Sequence, residues 1–171
     1  MKLTRYLLIV IIAVTYGSCT KIRQLPPEPY IEFNSFTVFD TTDILGNTCK
    51  GGELQFYFED GDGNLGLEPP ETTEGDTTNL YFTLFRKVDG IMEQVDDDDP
   101  MKPSSYRIPY MEREGQNKVL TGTIYITFIY LFYAEEDNDT IRYDFYLKDR
   151  DNNLSNEVST NEIPLSFNGV Y

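Results

Sequence analysis

Acidic and amide side chains alternate in the segment Asp60-Gly61-Asp62-Gly63-Asn64, directly after a run of aromatic residues. Oxygen ligands at the first, third and fifth positions of a tight loop can converge on one hard cation, as they do in calcium loops. The segment is not an EF-hand, because Leu65 stands where that motif needs glycine and Pro69-Pro70 forbid the exiting helix. Asp60, Asp62 and Asn64 are therefore candidate calcium ligands of another kind of loop.

The same residue types also shape turns, through side-chain-to-backbone hydrogen bonds and positive φ angles. A related segment recurs near the C-terminus, where FYFEDGDGNLG (56–66) is matched by FYLKDRDNNLS (145–155) with six identities in eleven positions. We expect the two corners to share one geometry, and both the turn and the calcium interpretation of the first corner stay open. The second corner is the weaker cation candidate, since it carries Arg150 and fewer glycines.

A run of four acids, Asp96 to Asp99, precedes Pro100. A run of like charges is typical of a solvated loop, and this is our interpretation. Cation binding by the run is the alternative.

The composition excludes several kinds of catalytic site. The chain has no His and only two Cys, so it lacks the usual general base, the usual metal ligand and any Ser-His pair. Chemistry that uses carboxylates alone, as in glycosidases, stays open, but no spacing of the acids singles out a pair. We expect a protein that is not an enzyme and has no cofactor, with calcium at the first corner as the open alternative.

The N-terminus has the pattern of an export signal. Lys2 and Arg5 precede an apolar run, and small residues lead to Cys19; this is a signal peptide, and the run is shorter than the roughly 20 apolar residues of a membrane span. Cys directly after Gly17-Ser18 resembles the lipobox of bacterial lipoproteins, which implies a leader over 1–18, lipidation at Cys19 and a Pro-bearing tether over 19–29. The alternative is an ordinary signal peptide and a Cys19–Cys49 disulfide.

The mature chain is strongly acidic. Without Lys2 and Arg5 it has 12 basic and 29 acidic residues, a formal charge of −17. Such a chain does not bind nucleic acid or anionic lipid by charge. It favours divalent cations or basic partners.

Short alternating apolar runs separated by turn residues dominate from Tyr30 onward, and no stretch holds a helical period over three turns. This pattern predicts an all-β fold, an antiparallel β-sandwich of seven to nine strands over 30–171. Two hairpin partners meet at Asp89-Gly90, and a break in the first strand is expected near Asn34-Ser35. The residues expected to be prominent in the strands are Phe56, Phe58, Phe82, Leu84, Ile124, Ile126, Tyr143, Phe145 and Leu147, and Val158, Ile163, Leu165 and Phe167 are expected to close the fold.

The lipobox, the tether, FEDGDGNLG and the final unit YDFYLKDRDNNLSNEVSTNEI together resemble small, functionally uncharacterised lipoproteins of the Bacteroidetes. The resemblance implies an immunoglobulin-like sandwich and a lipid anchor in the outer membrane, and it implies no activity. The basic segment Thr20-Lys21-Ile22-Arg23 favours the periplasmic side. The phylum's glycosylation pattern, Asp followed by Thr or Ser and then an aliphatic residue or Thr, marks Thr41, Thr77 and Thr140 as acceptors.

These observations predict a non-catalytic interaction module, anchored in the membrane by lipid and contacting a protein of the cell envelope. The alternative is an accessory lipoprotein that binds a ligand such as a glycan, since 13 Tyr side chains are available to stack on sugar rings.

Overall fold

The computed structural model describes residues 25–69, 77–112, 118–131, 133 and 140–171. Leader residues 1–18 and Cys19 lie outside these ranges, as does most of the predicted tether. Within them the chain forms nine strands and no helix: β1 (Tyr30–Thr42), β2 (Thr48–Asp60), β3 (Leu80–Val88), β4 (Ile91–Gln94), β5 (Leu120–Tyr130), β6 (Thr140–Leu147), β7 (Val158–Ser159), β8 (Ile163–Pro164) and β9 (Gly169–Val170).

The strands form two antiparallel sheets. One has the order β5-β2-β1-β9, and the other has the order β4-β3-β6-β7, with β8 also paired to β6. The predicted all-β sandwich is confirmed, whereas its immunoglobulin-like character stays a prediction. In the part of the chain that is described, no helix is long and apolar enough to cross a bilayer.

Aromatic rings from both sheets fill the space between them. Phe56 of β2 lies 5.2 Å from Phe145 of β6, and Phe128 of β5 lies 5.6 Å from Phe82 of β3, measured between ring centroids. Because side chains alternate between the faces of a strand, one apolar residue in two is enough to line this core. Of the nine residues expected to be prominent in the strands, eight are buried, and Ile124 is half-buried against them.

The structure confirms the predicted break in the first strand and the predicted hairpin turn. The register of β1 against β2 shifts between Phe33 and Ser35, where a break was expected. Asp89 and Gly90 have φ angles of 49° and 85°, as a two-residue hairpin turn requires.

The end of the chain differs from the expectation. Phe167, expected in the closing strand, is 65% exposed. It follows a turn in which its N–H donates to the carbonyl of Pro164, and the chain then closes with β9 against β1. The alternating apolar residues at 163, 165 and 167 are therefore not one strand, because β8 ends at Pro164 and a turn follows it.

Candidate functional site

The first aspartate loop follows β2 and is held by one buried carboxylate. Asp60 is fully buried, and its Oδ1 and Oδ2 accept the N–H groups of Gly63 (3.1 Å) and Leu65 (2.6 Å). Gly63 has a φ of 67°, which glycine adopts without steric cost. Asp60 therefore has the turn-forming role that was one of the two interpretations of this segment.

The second loop, after β6, repeats this design. Asp149 is 2% exposed, and its two oxygens accept the backbone N–H and the Nδ2 of Asn153, each at 2.8 Å. Asn152, at the position equivalent to Gly63, has a φ of 68°. The two loops therefore share a buried first aspartate and a positive φ at the fourth position, but they differ in detail. Asp60 accepts the N–H groups of Gly63 and Leu65, whereas both bonds to Asp149 come from Asn153, and Leu65 is fully buried whereas its counterpart Leu154 is 55% exposed.

The two loops meet. Asn64 Nδ2 donates to Asp151 Oδ2 at 2.9 Å across 87 residues of sequence, and to Asp62 Oδ2 at 3.2 Å. The Arg150 N–H donates to the Asn64 carbonyl (3.4 Å). The Arg150 guanidinium donates to the Gly66 carbonyl at 3.1 Å and lies over the Tyr110 ring. We call the group formed by Asp60, Asp62, Asn64 and Asp151 the loop junction.

Negative charge is concentrated at the loop junction. Burial, a hydrogen bond with Asp60 and the negative charges of Asp60 and Asp151 raise the pKa of Asp62. Asn64 is 9% exposed, and its Oδ1 is buried without a hydrogen-bond partner. The junction thus places three carboxylates around the Asn64 side chain. The Oδ1 of that side chain accepts no hydrogen bond, and burying such an unsatisfied acceptor destabilises the folded protein.

Of the three candidate calcium ligands, Asp62 and Asn64 are hydrogen-bonded to each other within the junction, whereas both oxygens of Asp60 already accept backbone N–H groups. Asp151 was not predicted as a ligand, although the repeated segment that contains it was the signal that could have found it. Among the described residues, no three acidic or Cys side chains already surround a space that would hold a metal ion.

The acidic run has partners of its own. Asp99 Oδ2 lies 3.1 Å from Arg86 Nη1, and Asp97 forms an ion pair with Lys102. Asp96 and Asp98 are exposed. This arrangement favours the interpretation of a solvated loop.

The predicted glycosylation acceptors differ in access. Thr77 is exposed before β3, whereas Thr41 in β1 and Thr140 at the start of β6 are half-buried. Thr77 is therefore the acceptor that a glycan could reach without opening a strand. Cys49 is half-buried in β2.

The predicted tether reaches the first loop. A Cβ on Gly61 would collide with the backbone oxygen of Pro26, so residue 61 must be glycine for the chain to enter the domain here. The point of entry thus lies beside the loop junction.

A scan against protein-family models finds no match to this chain, and searches of the curated proteins and of the solved structures find none either.

Proposed function

We propose that the protein is a lipid-anchored, non-catalytic interaction module of the outer membrane, and that a β-strand of an envelope protein pairs with the outer edge of β5. The observation that supports the proposal is that β5 is a long strand at the edge of its sheet. In the described part of the chain β5 pairs only with β2, so one side of an eleven-residue strand has backbone groups available for a partner.

The β5 edge is not protected against pairing. Natural edge strands are commonly guarded by charged residues, proline or bulges. The stretch from Val119 to Leu131 contains no charged residue and no proline, and Lys118 is the charged residue that precedes it. By contrast β4, at the edge of the other sheet, has four residues and includes the exposed Glu93.

The outward face of β5 adds side-chain contacts to the backbone edge. Thr121, Thr123 and Thr127 are exposed there, together with Tyr125 (58% exposed) and Ile129 (45% exposed). β-Branched and aromatic residues favour cross-strand pairs, and strand addition uses backbone hydrogen bonds for affinity and alternate side chains for specificity. The expected partner segment is extended, alternates apolar residues and has basic flanks, given the charge of −15 on the whole chain.

A lipid anchor at Cys19 would be compatible with such a contact. Leu120, the first residue of β5, pairs with Asp60, which lies next to the place where residues 25–26 enter the domain. In a protein tethered through Cys19, β5 would begin near the membrane and extend away from it.

The test uses the full lipidated protein and affinity capture from detergent-solubilised envelopes, with quantitative mass spectrometry. Thr127→Lys places a charge on the β5 edge and should abolish retention of the partner. Thr42→Lys, an exposed strand residue outside β5, is the matched control and should retain it. Absence of any reproducible partner, or equal retention by both variants, would refute the proposal.

The alternative function, glycan binding, has one favourable observation: the exposed ring of Tyr125 lies between two exposed threonines on the same face. An aromatic face flanked by hydroxyl groups can stack on a sugar ring. Binding on a glycan array that is lost in Tyr125→Ala would favour this alternative, and capture of a protein partner that tolerates Tyr125→Ala would oppose it.

A further inference from the structure

In the loop junction, the nitrogen of the Asn64 side-chain amide has two hydrogen-bond partners and its oxygen has none. Asn64 Nδ2 lies between Asp62 Oδ2 (3.2 Å) and Asp151 Oδ2 (2.9 Å). Its Oδ1 is buried and accepts no hydrogen bond, and the residue as a whole is only 9% exposed. An unsatisfied buried acceptor costs about 1–3 kcal/mol, so this amide is not in its most favourable environment.

Rotation of the Asn64 side-chain amide by a half-turn exchanges its nitrogen and oxygen. The Oδ1 would then lie near the two carboxylate oxygens, at separations close to the present 2.9 and 3.2 Å. Three such oxygens repel each other unless a cation lies between them. Calcium binds oxygens at 2.3–2.6 Å, so neighbouring ligand oxygens on the ion are about 2.8–3.4 Å apart. The two distances from the Asn64 amide to the carboxylate oxygens fall in that interval.

We propose that the loop junction binds one calcium ion, with Asp62, Asn64 and Asp151 as its side-chain ligands. Asp60 is a positioning residue, because its oxygens hold the Gly63 and Leu65 N–H groups. Water completes the six to eight oxygens that calcium takes. Binding requires the Asn64 side-chain amide to turn.

Calcium suits this group better than magnesium. Magnesium demands regular octahedral geometry at 2.0–2.1 Å and retains most of its water, whereas calcium accepts irregular sets of carboxylate and amide oxygens. The ligands come from the loop after β2 in one sheet and the loop after β6 in the other. The ion would therefore connect the two sheets at the end where the chain enters the domain, independently of any partner at β5.

The test measures thermal and urea unfolding of the full mature chain after treatment with EDTA and again with calcium chloride. At 100 times its dissociation constant, calcium should raise the folded-to-unfolded ratio about 100-fold, which is about 2.7 kcal/mol. Isothermal titration should give one ion per chain, and magnesium at the same concentration should give a much smaller shift.

Three variants locate the site. Asp62→Asn and Asp151→Asn should each abolish the calcium shift, while in EDTA each should be at least as stable as the wild type because a repelling charge has been removed. Asp98→Asn removes the same charge from the acidic run and should keep the full shift. The proposal is wrong if calcium does not stabilise the wild type, if the junction variants keep the shift, if Asp98→Asn loses it, or if magnesium is equally effective.

Discussion

Gly52 in β2 gives the most direct test of the packing between β1 and β2. Phe36 pairs with Leu54, so its ring lies diagonally across from Gly52. A Cβ on Gly52 would overlap the end of that ring, 2.6 Å from Cε1, and would also lie 3.1 Å from Tyr130 Cε2. Carbon atoms in contact are normally about 3.5–4.0 Å apart, so the Phe36 ring would have to move by about 1 Å.

The ring has no room for that movement. Phe36 is fully buried, and the rings of Phe128 and Tyr143 both lie 5.9 Å from it. Overpacking of this kind costs about 1–3 kcal/mol. Gly→Ala at an unstrained strand position has the opposite sign and stabilises by about 0.4–1 kcal/mol, because it restricts the unfolded chain. A decrease in the free energy of unfolding of Gly52→Ala would therefore indicate overpacking, whereas an increase would indicate that the added methyl group fits.

We expect Gly52→Ala to lower the free energy of unfolding by about 1–3 kcal/mol in urea denaturation. Gly51→Ala is the matched control on the opposite face, where the added Cβ meets Phe39 at 2.5 Å. Because Phe39 is half-buried, its ring can move toward solvent, and the loss should be smaller.

Phe36→Leu should restore part of the stability that Gly52→Ala removes. It shortens the side chain that collides with the new methyl group, so the double variant should be more stable than the sum of the two single effects by at least about 0.5 kcal/mol. A Gly52→Ala protein as stable as the wild type, or strict additivity in the double variant, would refute the packing argument.

Other predictions concern the core, the buried hydroxyl groups and the anchor. Phe145→Ala removes a fully buried ring and should cost about 3–5 kcal/mol, a large part of an ordinary stability of about 5–15 kcal/mol; a loss below 1 kcal/mol in urea denaturation would contradict it. Burial raises the pKa of Tyr143 and of its hydrogen-bonded neighbour Tyr130 above the ordinary value. Their stabilising contribution is therefore complete below about pH 10 and decreases above it, by about 1.4 kcal/mol per pH unit for each residue. Tyr143→Phe should reduce the loss of unfolding free energy between pH 10 and 11 by about 1 kcal/mol, because an unfolded tyrosine is only partly ionised in that interval, and an unchanged loss would show that Tyr143 is not responsible. Cys19→Ser should abolish palmitate labelling and release the protein from the outer-membrane fraction, and a variant that is still labelled and retained would disprove the lipid anchor.

The strands and their turns can be predicted from the amino-acid sequence alone, because they depend on interactions between residues close in the chain. The apolar period of two in β2, β3 and β6 is sufficient to predict buried faces. The turn at Asp89-Gly90 and the buried Asp60 depend on hydrogen bonds and φ angles within a few residues. The repeated segment likewise predicted two similar corners, and each is held by a buried aspartate at its first position.

Which of these elements lie next to each other depends on the complete fold. Nothing local in the segment around Asn64 indicates that its amide reaches Asp151, 87 residues later, because that contact depends on the order of β2 and β6 in two different sheets. The order also makes β5 an edge strand within the described ranges, whereas β6 has neighbours on both sides. Phe167 is exposed for a similar reason, since the chain needs a turn there to bring β9 to β1. An alternating pattern predicts which face of a strand is buried. Which strands lie beside it depends on the packing of the whole sandwich.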